Sequence, residues 1–407
     1  MSTDGSPPAI RSRRSGWLAA VLTVVPVVTA AHQIRASEVD WSARLALDER
    51  YDDNITELSP KDLNRLDTVG GGNGFPCGSG STLTSAGRFS IETAGDYVTV
   101  PRFSSDLRAG WIPGRPSSFE LDIAAHQYAT NAIKNWQAYR LAASQPLHGG
   151  RYETTIGASF TYSPYQYDRN LRSYWTANEL GVLPPPRREA TYRTRGGDFH
   201  VVQVLVPHYL WFRGLVGQEA KNYNKCFNER DSVMPFAQIQ LTWAPLGREI
   251  LRLRGEFIRE DLRAGGDLAD TAFFTEPDIS NRRRIVSVDA RVRWGSKGRK
   301  TSIGLRYDVE HRDYTASNPN DIYHFERTDE RRHATVGARI ELPRHWFVLA
   351  GADHITKRSS FPLVLAGSSP SEDTTDFTRN IYEVGFGYDF RLAGKRITAN
   401  LPGSTGE

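Results

Sequence analysis

Apolar and polar residues alternate along most of the chain from about residue 41 onwards. In one segment Val286, Val288, Ala290, Val292 and Trp294 are separated by single serine, aspartate or arginine residues. Successive side chains of a β-strand point to opposite faces, so this period of two predicts strands with one apolar and one charged face. The same residues in a helix would mix charges into the apolar face, which argues against helical structure.

Segments of this kind recur from one end of the chain to the other, and each is about ten residues long. A tilted strand of roughly ten residues is long enough to cross an outer membrane. We therefore predict an all-β fold, a transmembrane antiparallel up-and-down β-barrel of about 14 strands. The predicted strands are 41–50, 102–112, 118–128, 137–146, 151–162, 190–205, 209–222, 234–243, 249–258, 286–294, 302–310, 330–342, 346–356 and 378–391.

The connections between these segments alternate between short and long. The short ones carry turn residues, as in Pro113-Gly114-Arg115-Pro116 and Pro245-Leu246-Gly247. Outer-membrane barrels sort their connections in this way, with short periplasmic turns and long outer loops. The longest predicted loops are about 52–101, 163–189, 259–283 and 357–377.

Aromatic residues concentrate at the predicted strand ends. An amphipathic ring is most favourable at a membrane interface, so this placement predicts two girdles. Aromatic residues of a β-sandwich core, the alternative, would lie in the middle of the strands. Trp41, Trp111, Trp243, Trp294 and Trp346, with Trp211 close by, form the predicted short-turn girdle, and Tyr51, Tyr128, Tyr162, Tyr223 and Tyr314 the second.

Composition excludes two other classes. The 407 residues are 39% apolar and 24% charged with a mean hydropathy of -0.50, and beyond the N-terminus no apolar run approaches twenty residues. A bundle of transmembrane helices is therefore excluded. The net charge is only +4 and basic residues do not cluster beyond the first twenty residues, so nucleic acid is not an expected partner.

The N-terminus has the pattern of a secretory signal. Arg11, Arg13 and Arg14 precede an apolar stretch from Trp17 to Ala31 that contains a proline and closes with small residues. We expect a signal peptide over 1–30, cleaved after Ala30, with a membrane anchor as the alternative. A short segment (31–40), the barrel (41–392) and a C-terminal tail (393–407) are expected to follow.

The last predicted strand carries the motif Glu383-Val384-Gly385-Phe386-Gly387-Tyr388-Asp389-Phe390. This segment resembles the terminal signature of bacterial outer-membrane β-barrel proteins, in which aromatic residues alternate near the end of the last strand. In that family the barrel-insertion machinery recognises this strand. The resemblance therefore implies that machinery and outer-membrane lipids as partners, and the bacterial outer membrane as the location.

The first predicted strand and its continuation, Ala43 to Asn54 with Tyr51-Asp52-Asp53-Asn54, resemble the opening of barrels associated with exopolysaccharide export. Closure of the barrel would pair this strand with the last one. Setting Asp389 opposite Arg44 also places Glu383 opposite Arg50 on the inner face. The same register places Phe390 beside Ala43 and Phe386 beside Leu47 on the lipid face.

Charged residues of the polar face are expected to line a pore. Arginines and carboxylates are nearly balanced there, and neighbours such as Asp289 and Arg306 are expected to pair. A lumen of paired charges has little net field, which predicts weak ion selectivity. A plugged, merely solvated interior is the alternative. The predicted lining is Arg44, Asp48, Arg50, Asp106, Arg108, Glu120, Asp122, Arg252, Arg254, Asp289, Arg291, Arg306, Asp308, Arg339, Glu383 and Asp389.

Residues with catalytic or ligating chemistry do not form a recognisable motif. His126, His333 and His354 lie on or near predicted strands, and nothing in the spacing pairs any of them with a nucleophile. Neither a cofactor nor a metal is expected. Cys77 and Cys226, the only two cysteines, lie in predicted outer loops of an exported protein and are candidates for a disulfide.

Two functions fit these features best. The first is a hydrophilic, weakly selective channel for small polar solutes or saccharides, which an infolded first loop would narrow. The second is the barrel component of exopolysaccharide secretion or surface assembly. An outer-membrane acyl hydrolase is a less favoured third, and a non-enzymatic protein is expected.

Overall fold

The computed structural model describes residues 39–57, 59, 75–80, 90–112, 115–148, 151–172, 180–181, 186–246, 250–264, 279–296, 299–316, 324–360 and 376–392. The predicted signal peptide and C-terminal tail lie outside these residues. Within them, no helix is long and apolar enough to cross a membrane.

The chain folds into a closed barrel of 14 strands in which each strand pairs with its neighbours in sequence and β1 pairs with β14. All of these pairings are antiparallel, so the predicted up-and-down fold is confirmed. The strands are β1 (Val39–Asp52), β2 (Asp96–Ile112), β3 (Arg115–Tyr128), β4 (Trp136–His148), β5 (Thr154–Arg172), β6 (Arg187–Val206), β7 (Leu210–Tyr223), β8 (Ser232–Trp243), β9 (Leu251–Ala264), β10 (Asn281–Ser296), β11 (Arg299–Tyr314), β12 (Thr328–Glu341), β13 (Trp346–Ser360) and β14 (Phe377–Leu392).

The largest difference from the predicted elements is the hairpin of β5 and β6. The loop predicted over 163–189 is in large part strand, because β5 continues to Arg172 and β6 begins at Arg187. Register shifts between Ser163 and Gln166 and between Tyr167 and Asn170 interrupt the alternation of β5. A bulge breaks the period of two, so the extended part of this strand carries no simple apolar pattern.

The predicted closing register is confirmed. Arg44 lies opposite Asp389 and Arg50 opposite Glu383, while Ala43 lies opposite Phe390. Because a shift of one residue would turn every side chain to the other face, this register fixes which residues of β1 and β14 face the lumen.

The outer face carries the apolar side chains. Leu45, Val288, Leu305 and Phe386 are each about half exposed, as expected of side chains that contact lipid. Trp243, Trp294 and Trp346 are exposed on the same face at the end of the barrel with the short turns. These three tryptophans agree with the predicted girdle, whereas the side chain of Trp111 lies outside the described residues.

Four aromatic assignments are wrong. Trp211 is only 6% exposed and lies on the face of β7 opposite to the exposed Phe212 and Val216, so it belongs to the inner face. Adjacent apolar residues at the start of β7 obscure its alternation, which explains the error. Tyr128, Tyr223 and Tyr314 occupy inward positions in the observed register, so they do not belong to an outer girdle.

Tyrosines do form an outer girdle over part of the wall. Tyr51 and Tyr162, both predicted, lie on the lipid face. Tyr51 packs against Tyr97 with ring centroids 5.0 Å apart, and Tyr162 against Tyr139 at 6.4 Å. The second girdle therefore covers β1, β2, β4 and β5.

Candidate functional site

The inner face of the barrel is the strand face opposite to the exposed apolar side chains. Strand parity and register place all sixteen predicted lining residues on this face. They comprise eight arginines and eight carboxylates. Equal numbers of opposite charges on one face give this set no net charge.

Ion pairs connect the strands across this face. Arg50 contacts Glu383 at 2.8 Å and Arg102 contacts Asp48 at 2.5 Å. Arg140 donates to Glu120 at 3.0 Å and to Asp122 at 3.1 Å. Arg102, which the predicted lining does not include, is the first residue of the strand predicted over 102–112, and its side chain reaches a buried carboxylate.

One predicted ion pair is wrong. Asp289 lies opposite Arg306, as expected, but it contacts Arg254 on the other neighbouring strand. Arg306 contacts Asp308 at 2.8 Å and Glu256 at 3.4 Å. A strand in a barrel has a neighbour on each side, so adjacency to one of them does not determine which carboxylate an arginine selects.

The predicted inward histidines have structural partners. The ring of His126 stacks on Trp136 with centroids 3.9 Å apart. His333 Nε2 lies 2.8 Å from Asp353 Oδ1 and 3.1 Å from Thr335 Oγ1. Thr335 donates to Asp353 at 2.6 Å, so its proton points to the carboxylate and not to the imidazole. This arrangement lacks the hydroxyl-to-imidazole proton path of an activated nucleophile.

His354 lies on the outer face beside Asn380, at 2.8 Å from its side-chain oxygen. Among the residues that the structure describes, no group of three or more histidine, cysteine or acidic side chains is arranged to hold a metal ion.

A recess in the inner wall lies on β11, β12 and β13. Gly304, Gly337 and Gly351 lie opposite one another in the register and form its floor, because none of them carries a side chain toward the lumen. An added Cβ at Gly304 or Gly337 would meet nothing closer than 3.9 Å. The recess has a volume of about 400 Å³. Alternation along the sequence does not reveal this recess, because it identifies the two faces of a strand and not gaps in a face.

Polar side chains surround this recess. Arg291 lies at one end of the glycine row and Glu383 at the other. Arg306, Thr335 and Asp353 follow the outer edge, and Ser302, Arg339 and Leu349 the edge nearer the short turns.

The first outer loop reaches the far side of the barrel mouth. Cys77 is bonded to Cys226, with the two sulfur atoms 2.11 Å apart. Cys226 belongs to a 3₁₀ turn (Lys225–Arg230) between β7 and β8, halfway around the barrel from β1. Phe75 forms a β-bridge with Arg188, and the Glu189 amide donates to the Phe75 carbonyl at 3.1 Å. The described part of this loop is therefore fastened to the β6–β8 side.

The returning arm of the loop is also fixed. The Ser90 amide donates to the Tyr167 hydroxyl at 2.8 Å, and Ile91 packs on the Tyr167 ring. Lys134 lies beside the same ring in a 3₁₀ turn (Ala132–Lys134), where burial lowers the pKa of its ammonium group. These contacts hold the loop against the extended part of β5.

The acidic residues of the Tyr51-Asp52-Asp53-Asn54 segment contact the last strand of the barrel. Asp52 accepts hydrogen bonds from Arg379, the shortest at 2.5 Å, and Asp53 accepts one from the backbone amide of Asn380 at 2.7 Å. Both contacts join the outer end of β1 to β14, so these acidic residues reinforce barrel closure.

Solved structures with a similar architecture are outer-membrane barrels. An anion-selective porin from Comamonas acidovorans is 9% identical, with 87% of this chain and 100% of that chain covered and a TM-score of 0.41. A Pseudomonas aeruginosa FadL homologue is 11% identical, with coverages of 87% and 91% and a TM-score of 0.41. A bacterial polysaccharide outer membrane secretin is 10% identical, with coverages of 86% and 98% and a TM-score of 0.36.

These values describe a shared type of barrel and nothing finer. No protein-family model and no curated protein matches the chain. The chain is a closed 14-strand barrel of the bacterial outer-membrane type.

Proposed function

We propose that this barrel is a hydrophilic, weakly selective channel for small polar solutes or saccharides in the bacterial outer membrane. The observation that carries the proposal is the equal number of arginines and carboxylates among the sixteen predicted lining residues, all on the inner face of a closed wall. A lumen with balanced charge attracts water without favouring one ion sign strongly.

The width of the barrel supports a channel. A barrel of about eight strands leaves an interior that side chains fill, and the diameter grows roughly linearly with strand number. Fourteen strands therefore enclose more space than inward side chains occupy. Ion pairs and ring contacts also hold many of the long arginines close to the wall. Arg339, for example, contacts Asp389 at 2.8 Å and lies over the Phe347 ring at 3.7 Å.

The first outer loop is proposed to narrow the entrance. Its described part is fastened by the Cys77–Cys226 bond and by the Ser90–Tyr167 hydrogen bond. A loop held by both bonds narrows the outer entrance of the barrel, while the inner face of the strands remains lined by polar side chains.

Conductance in planar bilayers tests the channel. Purified protein is expected to give discrete current steps, and deletion of residues 60–95 is expected to enlarge them. The reversal potential in a salt gradient is expected to lie near zero. If neither form conducts, the barrel is a closed structural or assembly component. A strong preference for one ion sign would contradict the charge-balance argument.

A further inference from the structure

At one end of the glycine-floored recess lie two arginines that form no ion pair with a carboxylate of the described residues. Arg252 and Arg291 lie directly opposite each other on β9 and β10. Like charges in direct cross-strand contact are unfavourable unless an anion lies between them. Arg291 donates to the Ser302 hydroxyl at 3.2 Å, and no carboxylate of the described residues contacts it directly. The buried Nε of Arg252 has no hydrogen-bond partner among the described residues.

The carboxylates at the recess are already engaged. Asp353 contacts His333 and accepts the Thr335 proton, and Glu383 contacts Arg50 at 2.8 Å. Asp289 is paired with Arg254. The recess therefore offers free positive charge at its β9–β10 end and hydroxyl and carboxylate oxygens along its length.

The floor allows a ring to lie close to the wall. Glycine lets a ligand approach the backbone without meeting a side chain, and here three glycines on adjacent strands do so together. A volume of about 400 Å³ is within the range of small-molecule sites. A compact hydroxylated ring can therefore lie against the backbone of this floor.

We infer that the recess is a transient binding site for an acidic sugar unit. Its carboxylate lies between Arg252 and Arg291, and its hydroxyls contact Ser302, Thr335 and Asp353. Arginine suits this role because its planar donors match a carboxylate geometrically. The inference rests on the proposed function, since the sugar enters the recess through a conducting lumen.

Current block by small solutes tests the inference. Single-channel currents of the full chain are recorded with glucuronate, glucose or acetate added. Glucuronate is expected to interrupt the current at concentrations about tenfold lower than glucose or acetate. Only glucuronate carries both the carboxylate for the two arginines and the ring hydroxyls for the rest of the site.

Two variants localise the block. Gly337→Phe fills the recess and is expected to abolish the preference for glucuronate. Arg252→Gln/Arg291→Gln removes the anion contacts and is expected to reduce glucuronate block to the level of glucose. Ala142→Phe, which adds the same bulk to the inner face of β4, is the matched control and is expected to retain the preference.

The outcomes separate the site from the channel. Conducting protein that glucuronate and glucose block equally overturns the inference and leaves the channel intact. Acetate block equal to glucuronate block reduces the site to a simple anion site and overturns the sugar assignment. Wild-type protein that does not conduct contradicts the proposed function itself. Unchanged block in the double arginine variant, with folding verified by its mobility shift on heating, also overturns the assignment.

Discussion

Arg44 on the first strand donates a hydrogen bond to Asp389 on the last strand over 2.6 Å. Asp389 also accepts a hydrogen bond from Arg339 on β12 at 2.8 Å. One carboxylate thus connects the strand pair that closes the barrel with a strand two positions away. Asp389 is the less exposed member of its pair with Arg44. Water therefore screens its charge less, and we expect it to stabilise barrel closure more than a fully exposed carboxylate would.

Removing this carboxylate is expected to weaken the barrel more than removing either guanidinium. Asp389→Asn leaves two arginines without their anion and should lower the free energy of unfolding by about 1–2 kcal/mol. Arg44→Gln should cost less than about 1 kcal/mol, because Arg44 is largely exposed. The midpoint of the heat-induced mobility shift in detergent gels measures both. Arg108→Gln, at an exposed pair, is the control, and an equal loss in all three variants would contradict this ranking.

The disulfide is expected to be formed in protein from the outer membrane. Thiol labelling of denatured, unreduced protein should find no reactive cysteine, and two after reduction. In the chain-entropy model, closing a loop of 149 residues stabilises the folded state by up to about 5 kcal/mol. The heat-shift midpoint should therefore fall on reduction in wild type and stay constant in Cys77→Ser/Cys226→Ser. Two reactive thiols before reduction would refute the bond.

Ion selectivity should follow the sign of the charge removed from the inner face. Asp106→Asn/Glu120→Gln removes two neighbouring carboxylates from β2 and β3 and should shift the reversal potential toward anions. Arg108→Gln/Arg140→Gln removes two cations from the same part of the wall and should shift it toward cations. Reversal potentials of both variants in a KCl gradient provide the measurement. Shifts of the same sign would show that these residues do not face the conducting path.

The terminal strand is expected to act during assembly. Phe386 and Phe390 are 51% and 40% exposed on the lipid face, so they add little packing inside the folded barrel. Phe390→Ala should reduce the amount of protein inserted in the outer membrane while leaving the heat-shift midpoint of the inserted fraction nearly unchanged. Phe160→Ala, an exposed aromatic residue on β5, is the matched control. Normal insertion of Phe390→Ala would argue against recognition through this segment.

Strand number, pairing and the facing of charged residues could be predicted from alternation alone. A strand with lipid on one side and water on the other must alternate, and the closing register follows from two charge pairs that share one offset, Arg44 with Asp389 and Arg50 with Glu383. Alternation failed where it was interrupted. The bulges of β5 hid the ten residues of strand from 163 to 172, and adjacent aromatic residues hid the inward facing of Trp211.

Contacts that depend on the distance between side chains of different strands could not be predicted from the sequence. The selection of Arg254 by Asp289 requires the three-dimensional distance, since both neighbouring strands offer an arginine. The recess required the observation that three inward glycines lie in one row, which depends on two strand registers at once.

The hairpin of β5 and β6 extends beyond the ends of the strands on either side of it. β5 ends at Arg172, whereas its pairing with β4 begins at Tyr162, and β6 begins at Arg187, ahead of its first partner contact with β7 at Tyr192. At about 2.5 Å of height per tilted residue, the part of β6 ahead of Tyr192 alone extends the hairpin by roughly 12 Å beyond its pairing with β7. Arg188 and Asn170 on this extension are fully buried, and Phe75 and Ser90 of the first outer loop contact them. The hairpin therefore supports that loop beyond the ends of the neighbouring strands.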